Sequence, residues 1–353
     1  MCLTLLMLRR LRFPAGAQLA ATVLAAVLTV AAGAAPRADD PPCDFTKVER
    51  IVAVGDVHGA YERYVEILKT AGILDQRDRW IGGKTHLVQL GDVVDRGPDS
   101  RKAIDLLRKL EREANSAGGK VHYLLGNHEV MRIIEDYRYL VPGEDAAFAD
   151  GGSNELREQL AKIVAPDQRD AVLKLPLGRI ELIRAYGPKG AYGAYLRTLN
   201  AVVRINGVVF LHGGISPAVA PMPCAAINES VRREIGVDVE KTRADPTAFL
   251  TTREDGPLWY RGLAQEPETF APELDKILEG QQARAIVVAH TVTPTGRIES
   301  RFNGKVFVMD TGMQPAYVAK GRASALEIRG NVFTAIYVDR RDVLAGGVPA
   351  ASR

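Results

Sequence analysis

Metal-binding side chains recur in five short segments of the chain that share one layout. In each segment an apolar run leads into a carboxylate, an amide or an imidazole that has a small residue beside it. The segments are Gly55-Asp56-Val57-His58-Gly59, Gly91-Asp92-Val93-Val94-Asp95-Arg96-Gly97, Gly126-Asn127-His128-Glu129, Leu211-His212-Gly213-Gly214 and Ala289-His290-Thr291. Imidazole and carboxylate ligands together suit borderline divalent metals such as Zn, Fe and Mn. The pattern predicts a metal site that draws on all five segments.

Histidine is concentrated in these segments. Four of the six histidines of the chain lie in them, namely His58, His128, His212 and His290. An isolated Asp at a strand end is usually a turn residue, and an isolated buried His is usually a core residue. Their joint occurrence at five strand ends favours metal binding over packing. The remaining histidines, His86 and His122, are predicted to be ordinary strand residues.

The elements that position the first three segments alternate between strand and helix. Apolar runs at 50–54, 86–90 and 121–125 predict strands, and the helical spacing of apolar residues at 60–71 and 100–117 predicts helices. This order indicates parallel pairing in an α/β domain. In such sheets the carboxyl ends of the strands carry the functional site, so the three segments are expected to meet there.

The rest of the chain divides into a helical and a strand-rich part. Residues 130–200 are polar and mostly helical in pattern, and they indicate an insertion or lid. Asn206-Gly207 between apolar runs predicts a hairpin over 202–211. Further helices are expected near 224–236 and 267–283. Strands are expected at 285–289, 305–309, 323–328 and 332–338.

Composition excludes several classes of protein. The 353 residues are 46% hydrophobic and 25% charged, which excludes a disordered, collagen-like or coiled-coil chain. The formal charge of +3 comes from the first 34 residues, which hold three arginines and no acid, and the rest has 43 basic and 43 acidic residues. A nucleic-acid polymer is therefore not an expected partner.

Residues 1–34 have the pattern of a signal peptide or an N-terminal anchor. Three arginines precede an apolar stretch from Ala17 to Ala32, and Ala32-Gly33-Ala34 fits a signal-peptidase site. We expect an exported protein, periplasmic or secreted, with membrane contact only through an uncleaved anchor. Residues 35–49 are predicted to form a linker. Cys43 and Cys224 either form one disulfide or remain two unrelated thiols.

The motifs resemble those of the calcineurin-like metallophosphoesterases, and specifically the phosphoprotein phosphatase family. The matching motifs are GDVHG, GDVVDRG, GNHE and LHGGISP, followed by His290. Residues 135–139 (EDYRY) and 255–262 (DGPLWYRG) are similar to the Shewanella-like phosphatase branch. The SAPNY-type segment of the eukaryotic serine/threonine enzymes is absent, and residues 309–313 (MDTGM) stand in that region.

The resemblance implies an α/β metallophosphoesterase fold, with two packed mixed β-sheets flanked by helices and a helical insertion at 130–200. It places the phosphoesterase domain at 50–340 and a C-terminal tail at 341–353. It also assigns roles by matching motifs. Asp56 and His58 match ligands of a first metal, and Asp92 matches a ligand that bridges both metals. Asn127, His212 and His290 match ligands of the second metal. His128 matches the general acid and Asp95 its partner, and Arg96 and Arg261 match side chains that bind the phosphate.

The implied function is metal-dependent hydrolysis of phosphomonoesters. A hydroxide bridging two divalent ions, about 3.5–4 Å apart, would attack phosphorus in line; the ions are Mn, Fe or Zn. The expected substrate is a phosphorylated protein (phosphotyrosine or phosphoserine/threonine) or a small phosphoester. One alternative is a nucleotide phosphoesterase of the diadenosine tetraphosphate hydrolase type. The other is a non-catalytic, metal-stabilised binding protein, which predicts a broken ligand or clamp that the sequence does not show.

Overall fold

Residues 41–346 are described by the computed structural model. The predicted signal peptide or anchor at 1–34 lies outside the described residues, as do residues 35–40 of the predicted linker. Within residues 41–346, no helix combines the length and the apolar character needed to cross a bilayer.

The strands of the described part are short. In chain order they are β1 (Asp44–Phe45), β2 (Ile51–Val54), β3 (His86–Gln89), β4 (Lys120–Tyr123), β5 (Val202–Ile205), β6 (Val208–Leu211), β7 (Ala285–Val288), β8 (Glu299–Arg301), β9 (Val306–Val308), β10 (Ser324–Arg329), β11 (Val332–Tyr337) and β12 (Arg341–Ala345).

The helices surround the strands. They are α1 (Tyr61–Thr70), α2 (Ser100–Ser116), α3 (Asn127–Ile133), α4 (Pro142–Ala146), α5 (Ser153–Ile163), α6 (Arg169–Leu173), α7 (Arg179–Tyr186), α8 (Ala191–Leu196), α9 (Cys224–Gly236), α10 (Val239–Ala244), α11 (Gly262–Gln265) and α12 (Ala271–Gly280). Short 3₁₀ turns lie at Pro166–Gln168 and Glu268–Phe270.

The strands form two mixed sheets of six strands each. Sheet 1 has the order β12-β11-β10-β2-β3-β4, and β2, β3 and β4 run parallel. Sheet 2 has the order β1-β5-β6-β7-β9-β8, and β6, β7 and β9 run parallel. Each sheet therefore brings the carboxyl ends of three parallel strands to one edge, as the sequence pattern predicts for the first three.

A buried apolar layer joins the two sheets. Ile51 and Ala53 of β2 lie in the same cluster as Phe210 of β6, and the rings of Phe307 and Phe333 stack with centroids 4.3 Å apart. Alternate residues of β2, such as Val52 and Val54, belong to a second cluster that the helices cover. Because both faces of these strands are buried, they read in the sequence as continuous apolar runs.

The sequence-based element predictions mostly hold, and two of the domain boundaries need correction. The hairpin at Asn206-Gly207 and the helical insertion are found, the latter as α4 to α8. However, β1 lies in the stretch predicted to be a linker, where it pairs with β5, and β12 lies in the predicted tail, where it pairs with β11. A disulfide between Cys43 and Cys224 fastens β1 to α9, so this end of the linker is part of the domain.

Candidate active site

The six parallel strand ends, three from each sheet, converge on one cavity. Each end is followed within a few residues by a polar side chain of the site. These are Asp56 and His58 after β2, Asp92, Asp95 and Arg96 after β3, Asn127 and His128 after β4, His212 after β6, His290 after β7 and Asp310 after β9. The sequence analysis predicted five of these six ends, and the structure brings all of its predicted site residues on them together.

Several of these residues have a left-handed backbone, which is rare for residues other than glycine. The φ angle is +48° at His58, +49° at Asp92, +70° at Asp95, +65° at Arg96 and +64° at His290. Such conformations cost on the order of 1–3 kcal/mol each and persist where the surrounding structure enforces them. They turn the chain sharply after each strand, so that consecutive side chains can face the same cavity.

Two glycines of the motifs allow the loops to approach closely. A Cβ atom on Gly126 would lie 2.2 Å from Oδ1 of Asp92, and one on Gly91, whose φ is +87°, would lie 2.3 Å from the nitrogen of Gly126. Any larger residue would push the second and third motifs apart. The glycine in each motif is therefore required by the packing of the loops that carry the ligands.

Two groups of potential metal ligands share the carboxylate of Asp92. His58, Asp92 and His128 form one group, and Asp92, His212 and His290 form the other. Oδ2 of Asp92 lies 3.3 Å from Nε2 of His212 and 3.6 Å from Nε2 of His58. Asp92 is thus the residue that the two groups have in common.

Backbone carbonyls fix the orientation of two imidazoles. Nδ1 of His58 lies 2.9 Å from the oxygen of Val94, and Nδ1 of His212 lies 2.8 Å from the oxygen of Leu90. This leaves Nε2 of both rings facing the carboxylate of Asp92. A hydrogen bond to the far nitrogen is the usual support of a metal-binding histidine.

The donor set fits divalent metal ions. Nδ1 of His290 lies 3.2 Å from Nε2 of His212, within the group that contains Asp92, and Nε2 of His290 is buried without a hydrogen-bond partner. Asn127 adds an amide oxygen, 2.9 Å from Nε2 of His212. Together with the carboxylates of Asp56 and Asp92, these atoms are ligands that Mn, Fe or Zn accept. The family that the motifs resemble uses divalent metals, and the residues present suit them.

Burial and mutual contact set the protonation of the site in the metal-free state. Burial lowers the pKa of His58 to about 3 and that of His290 to about 2, which favours neutral imidazole. For Asp92, burial acts to raise the pKa, but His212 and His128 outweigh it and lower the pKa well below the usual value. Neutral imidazole and ionised carboxylate are the forms that bind metal.

Asp310 is a buried carboxyl for which the sequence pattern predicted no role in the site. It follows β9, is 2% exposed, and shares a hydrogen bond with the carboxyl of Asp56. Burial, and then the proximity of Asp310 and Asp92, raise the pKa of Asp56 well above its usual value. The signal was present in the sequence, because Asp310 and Gly312 follow an apolar run as the other motif residues do.

His128 and two arginines face the same cavity. Nδ1 of His128 lies 2.7 Å from Oδ2 of Asp95, and Nη2 of Arg96 lies 3.4 Å from Nε2 of His128. Nη1 of Arg261 donates to the oxygen of His290 at 2.8 Å and to Oγ1 of Thr291 at 3.2 Å. Planar guanidinium groups suit phosphate oxygens, so the cavity combines metal-binding groups with two phosphate-binding side chains and an imidazole.

Comparison with known proteins identifies the architecture. The calcineurin-like phosphoesterase family model matches residues 49–294. The chain belongs to this family. Shewanella-like protein phosphatase 2 of Arabidopsis thaliana is 33% identical over 303 residues, which cover 81% of this chain and 76% of the relative. Membership confirms the predicted metallophosphoesterase fold, and the protein is a hydrolase.

This chain is also similar to a solved phosphatase structure and to a nucleotide hydrolase. The crystal structure of a cold-active protein-tyrosine phosphatase from a psychrophilic Shewanella species superposes with a TM-score of 0.69 and is 29% identical; the match covers 86% of this chain and 83% of that one. A symmetrical bis(5'-nucleosyl)-tetraphosphatase of Acidovorax is 24% identical over 304 residues, which cover 83% of this chain and 85% of the relative. The Arabidopsis relative and the Shewanella structure confirm the Shewanella-like resemblance, and the tetraphosphatase corresponds to the nucleotide phosphoesterase alternative.

Aromatic side chains line the mouth of this phosphoesterase cavity. The guanidinium of Arg96 lies 3.7 Å from the ring centroid of Tyr317 and 4.7 Å from that of Tyr139. Trp259 contacts the ring of His290 edge-on, with centroids 5.8 Å apart. Tyr139 and Tyr317 are 38% and 43% exposed, so their rings are available to a substrate that enters the cavity.

Proposed function

We propose that this phosphoesterase is a protein phosphatase that prefers phosphotyrosine. The observation that carries the proposal is the arrangement around Asp92: its carboxylate lies 3.6 Å from Nε2 of His58 and 3.3 Å from Nε2 of His212, and Arg96, Arg261 and His128 face the same cavity. Hydrolysis of a phosphomonoester requires three functions in one place. These are a nucleophile, neutralisation of the charge on the phosphoryl group and a proton for the leaving oxygen.

The proposed metal ligands fall into two sets that share Asp92. Asp56, His58 and Asp92 would hold the first ion, and Asp92, Asn127, His212 and His290 the second. When bound, two divalent ions (Mn, Fe or Zn) supply charge to the phosphoryl oxygens and acidify a water to provide the nucleophile.

The two arginines are assigned to the phosphoryl group. Arg96 is steadied against Tyr317 and Tyr139, which leaves the in-plane N–H groups of its guanidinium free to point at a ligand. Arg261 is steadied by the backbone oxygen of His290. Arg96 and Arg261 would neutralise the oxygens of the phosphoryl group as the bond to the leaving oxygen breaks.

His128 is assigned as the general acid. Asp95 holds Nδ1, so Nε2 is the nitrogen that faces the cavity. Burial acts to lower the pKa of His128, but Asp92 and Asp95 outweigh it and raise the pKa above the usual value. Both contacts favour the protonated imidazole, and we assign His128 to donate the proton that the leaving oxygen takes up, a step worth roughly 10²–10⁴ in rate.

The preference for phosphotyrosine is supported by the aromatic mouth. Tyr139 and Tyr317 contact Arg96, and Tyr139 also contacts the ring of His128, so a leaving group protonated by His128 passes these rings. An aromatic pair contributes about 0.5–1.5 kcal/mol beyond its buried area. These rings therefore favour binding of a phosphotyrosine ring over the short side chain of phosphoserine or phosphothreonine. The similar Shewanella structure is named as a protein-tyrosine phosphatase.

A turnover panel tests the proposal. The chain is treated with chelator, reconstituted with Mn, Zn or Fe, and assayed on a phosphotyrosine peptide, the matched phosphothreonine peptide and diadenosine tetraphosphate. We expect metal-dependent hydrolysis with the highest kcat/KM on phosphotyrosine, and a roughly tenfold smaller preference in a Tyr139→Leu, Tyr317→Leu double variant. Faster hydrolysis of the dinucleotide than of either peptide would contradict the protein phosphatase and favour the nucleotide phosphoesterase.

We also propose that the protein works outside the cytoplasm. The Cys43–Cys224 disulfide supports this, because such bonds persist in oxidising compartments. The arginine-rich, apolar pattern at 1–34 supports it independently. Fractionation of cells that express the full chain tests the proposal, with thiol labelling before and after reduction as a second readout. Cytoplasmic protein of full length with two reactive thiols at Cys43 and Cys224 would contradict it.

A further inference from the structure

Arg132 is buried beneath the proposed general acid. It is among the largest fully buried side chains of the described residues, at 1% exposure. It follows His128 by one helical turn on α3, so both side chains project from the same face of the helix. They contact the same carboxylate from two sides: Nδ1 of His128 lies 2.7 Å from Oδ2 of Asp95, and Nη2 of Arg132 contacts Oδ1.

The insertion holds Arg132 from the opposite direction. Nη2 of Arg132 lies 3.0 Å from Oε1 of Glu144 on α4, the first helix of the insertion. Oε1 of Glu144 also accepts the backbone N–H of Asp95 at 3.3 Å. The guanidinium lies 4.9 Å from the ring centroid of Tyr186 on α7. A continuous chain of contacts therefore runs from His128 through Asp95 and Arg132 to the insertion.

A structural role alone gives a poor account of this buried charge. Taking a guanidinium out of water is costly, and an apolar side chain of similar size in its place is often neutral or stabilising. The hydrogen bonding of the buried guanidinium is also incomplete, since Nε and Nη1 of Arg132 have no hydrogen-bond partner. What an apolar residue could not supply is the fixed positive charge at Oδ1 of Asp95.

We propose that Arg132 and Glu144 are positioning residues for the general acid. They hold the carboxylate of Asp95 in the orientation that directs Nε2 of His128 at the leaving oxygen, so docking of the insertion on the two sheets completes the acid. The inference rests on the proposed function, because it requires His128 to protonate a leaving group. Neither Arg132 nor Glu144 contacts the substrate in this assignment.

The dependence of rate on the leaving group separates positioning from general damage. p-Nitrophenolate is a weak base and leaves with little help, whereas the phenolate of tyrosine, whose parent pKa is about 10, needs the proton. A defect confined to the acid therefore slows phosphotyrosine much more than p-nitrophenyl phosphate. A site disturbed at the metals or at the arginine clamps slows both substrates alike.

The experiment compares Arg132→Met and Glu144→Gln with the wild type on these two substrates, with metal content measured for each protein. We expect kcat on phosphotyrosine to fall about 10–100-fold in Arg132→Met, and kcat on p-nitrophenyl phosphate to fall less than about threefold. KM and metal content are expected to stay within about twofold of wild type. Arg132→Lys, which restores the positive charge, is expected to recover part of the loss on phosphotyrosine.

His128→Asn and Arg204→Met provide the controls. In His128→Asn the acid is already absent, so adding Arg132→Met should slow phosphotyrosine hydrolysis no further. Arg204 is an arginine of β5 that pairs with Asp44 at 2.6 Å and does not line the cavity, and Arg204→Met should keep wild-type ratios. Where Arg132→Met does not fold, as judged by circular dichroism, Glu144→Gln carries the test.

Two results would overturn the inference. One is an equal loss on both substrates in every folded variant at Arg132 or Glu144. The other is a further, multiplicative loss when Arg132→Met is added to His128→Asn. Failure of the proposed function looks different: the wild type would then show no phosphotyrosine hydrolysis, or His128→Asn would keep wild-type rates on both substrates.

Discussion

Glu129 accepts the backbone N–H of Asp92 at 2.8 Å, and this contact joins the second motif to the third. The same carboxylate accepts the N–H groups of Val93 and Gly126 at 2.8 Å and the hydroxyl of Tyr123 at 2.9 Å. Four donors from two loops and one strand thus converge on one fully buried side chain. Glu129 fixes the distance between the loops that carry Asp92 and His128.

Replacing Glu129 with Gln is expected to destabilise the metal-free protein by about 3 kcal/mol. The amide presents N–H groups to donors that have no other partner, and buried donors without partners cost about 1–3 kcal/mol each. Urea unfolding monitored by circular dichroism measures the change. The exposed Glu254→Gln serves as the control and should change the free energy of unfolding by less than about 0.5 kcal/mol. Equal stabilities of the two variants would remove Glu129 from this role.

Asp92→Asn and His128→Asn are expected to fail in different ways. Asp92 is shared by both ligand groups, so Asp92→Asn should lose metal and activity together. His128→Asn should keep its metal and lose turnover by roughly 10²–10⁴ on phosphotyrosine. Metal content by mass spectrometry, measured beside kcat after gel filtration, distinguishes the two.

The same measurements can contradict the role assigned to His128. Full metal loss in His128→Asn would make His128 a ligand, in line with its membership of one of the two donor groups. Full turnover by His128→Asn on phosphotyrosine would instead remove it from proton transfer. Either result changes the role of Asp95, which contacts Nδ1 of His128.

The sequence was most informative where local pattern and buried surface coincide. β2 and β3 were predictable because both of their faces are buried, and the ligands that follow them stand beside glycine. β1 was missed because two residues, Asp44 and Phe45, show no periodicity; pairing with β5 and the Cys43–Cys224 disulfide hold it in place. Such strands depend on partners distant in the chain, and local propensity does not encode them.

Within the site, the groups that were missed act through tertiary contacts. Asp310 has a motif-like surrounding, but its importance depends on its contact with Asp56, more than 200 residues earlier. Glu144 carries no motif, and its link to Asp95 exists only because α4 docks beside α3. The five left-handed residues of the loops were equally hidden, since histidine, aspartate and arginine give no sign of such a backbone.

Asp310→Asn is expected to weaken metal retention about 10–100-fold while the fold persists. The variant removes a buried carboxyl that hydrogen-bonds Asp56, a proposed ligand, and an amide there cannot supply the same negative charge. Competition with a chromophoric chelator measures the affinity. Asp339→Asn, at an exposed bend between β11 and β12 of the other sheet, is the control. Unchanged affinity in Asp310→Asn would show that Asp56 needs no support from this side.

The histidine pair outside the site is expected to make stability depend on pH. Nε2 of His122 lies 3.0 Å from Nδ1 of His86, and Phe45 lies edge-on against both rings. The pKa of His86 is lowered to about 4, mainly by burial and to a smaller extent by Lys120. The pKa of His122 is lowered well below its usual value, mainly by burial and then by His86 and Lys120. In the unfolded chain both titrate near pH 6.5.

As the pH falls from 6.5 towards 4, the unfolded chain therefore takes up protons that the folded pair does not, and the free energy of unfolding decreases. Above pH 6.5 this contribution is fully present. His122→Gln should reduce the decrease between pH 7.5 and pH 4.5 by on the order of 1–2 kcal/mol. Urea unfolding of the metal-free protein at both pH values provides the measurement, because the histidines of the metal site are common to both proteins and cancel. An identical decrease in wild type and variant would mean that the pair titrates alike in the folded and unfolded states.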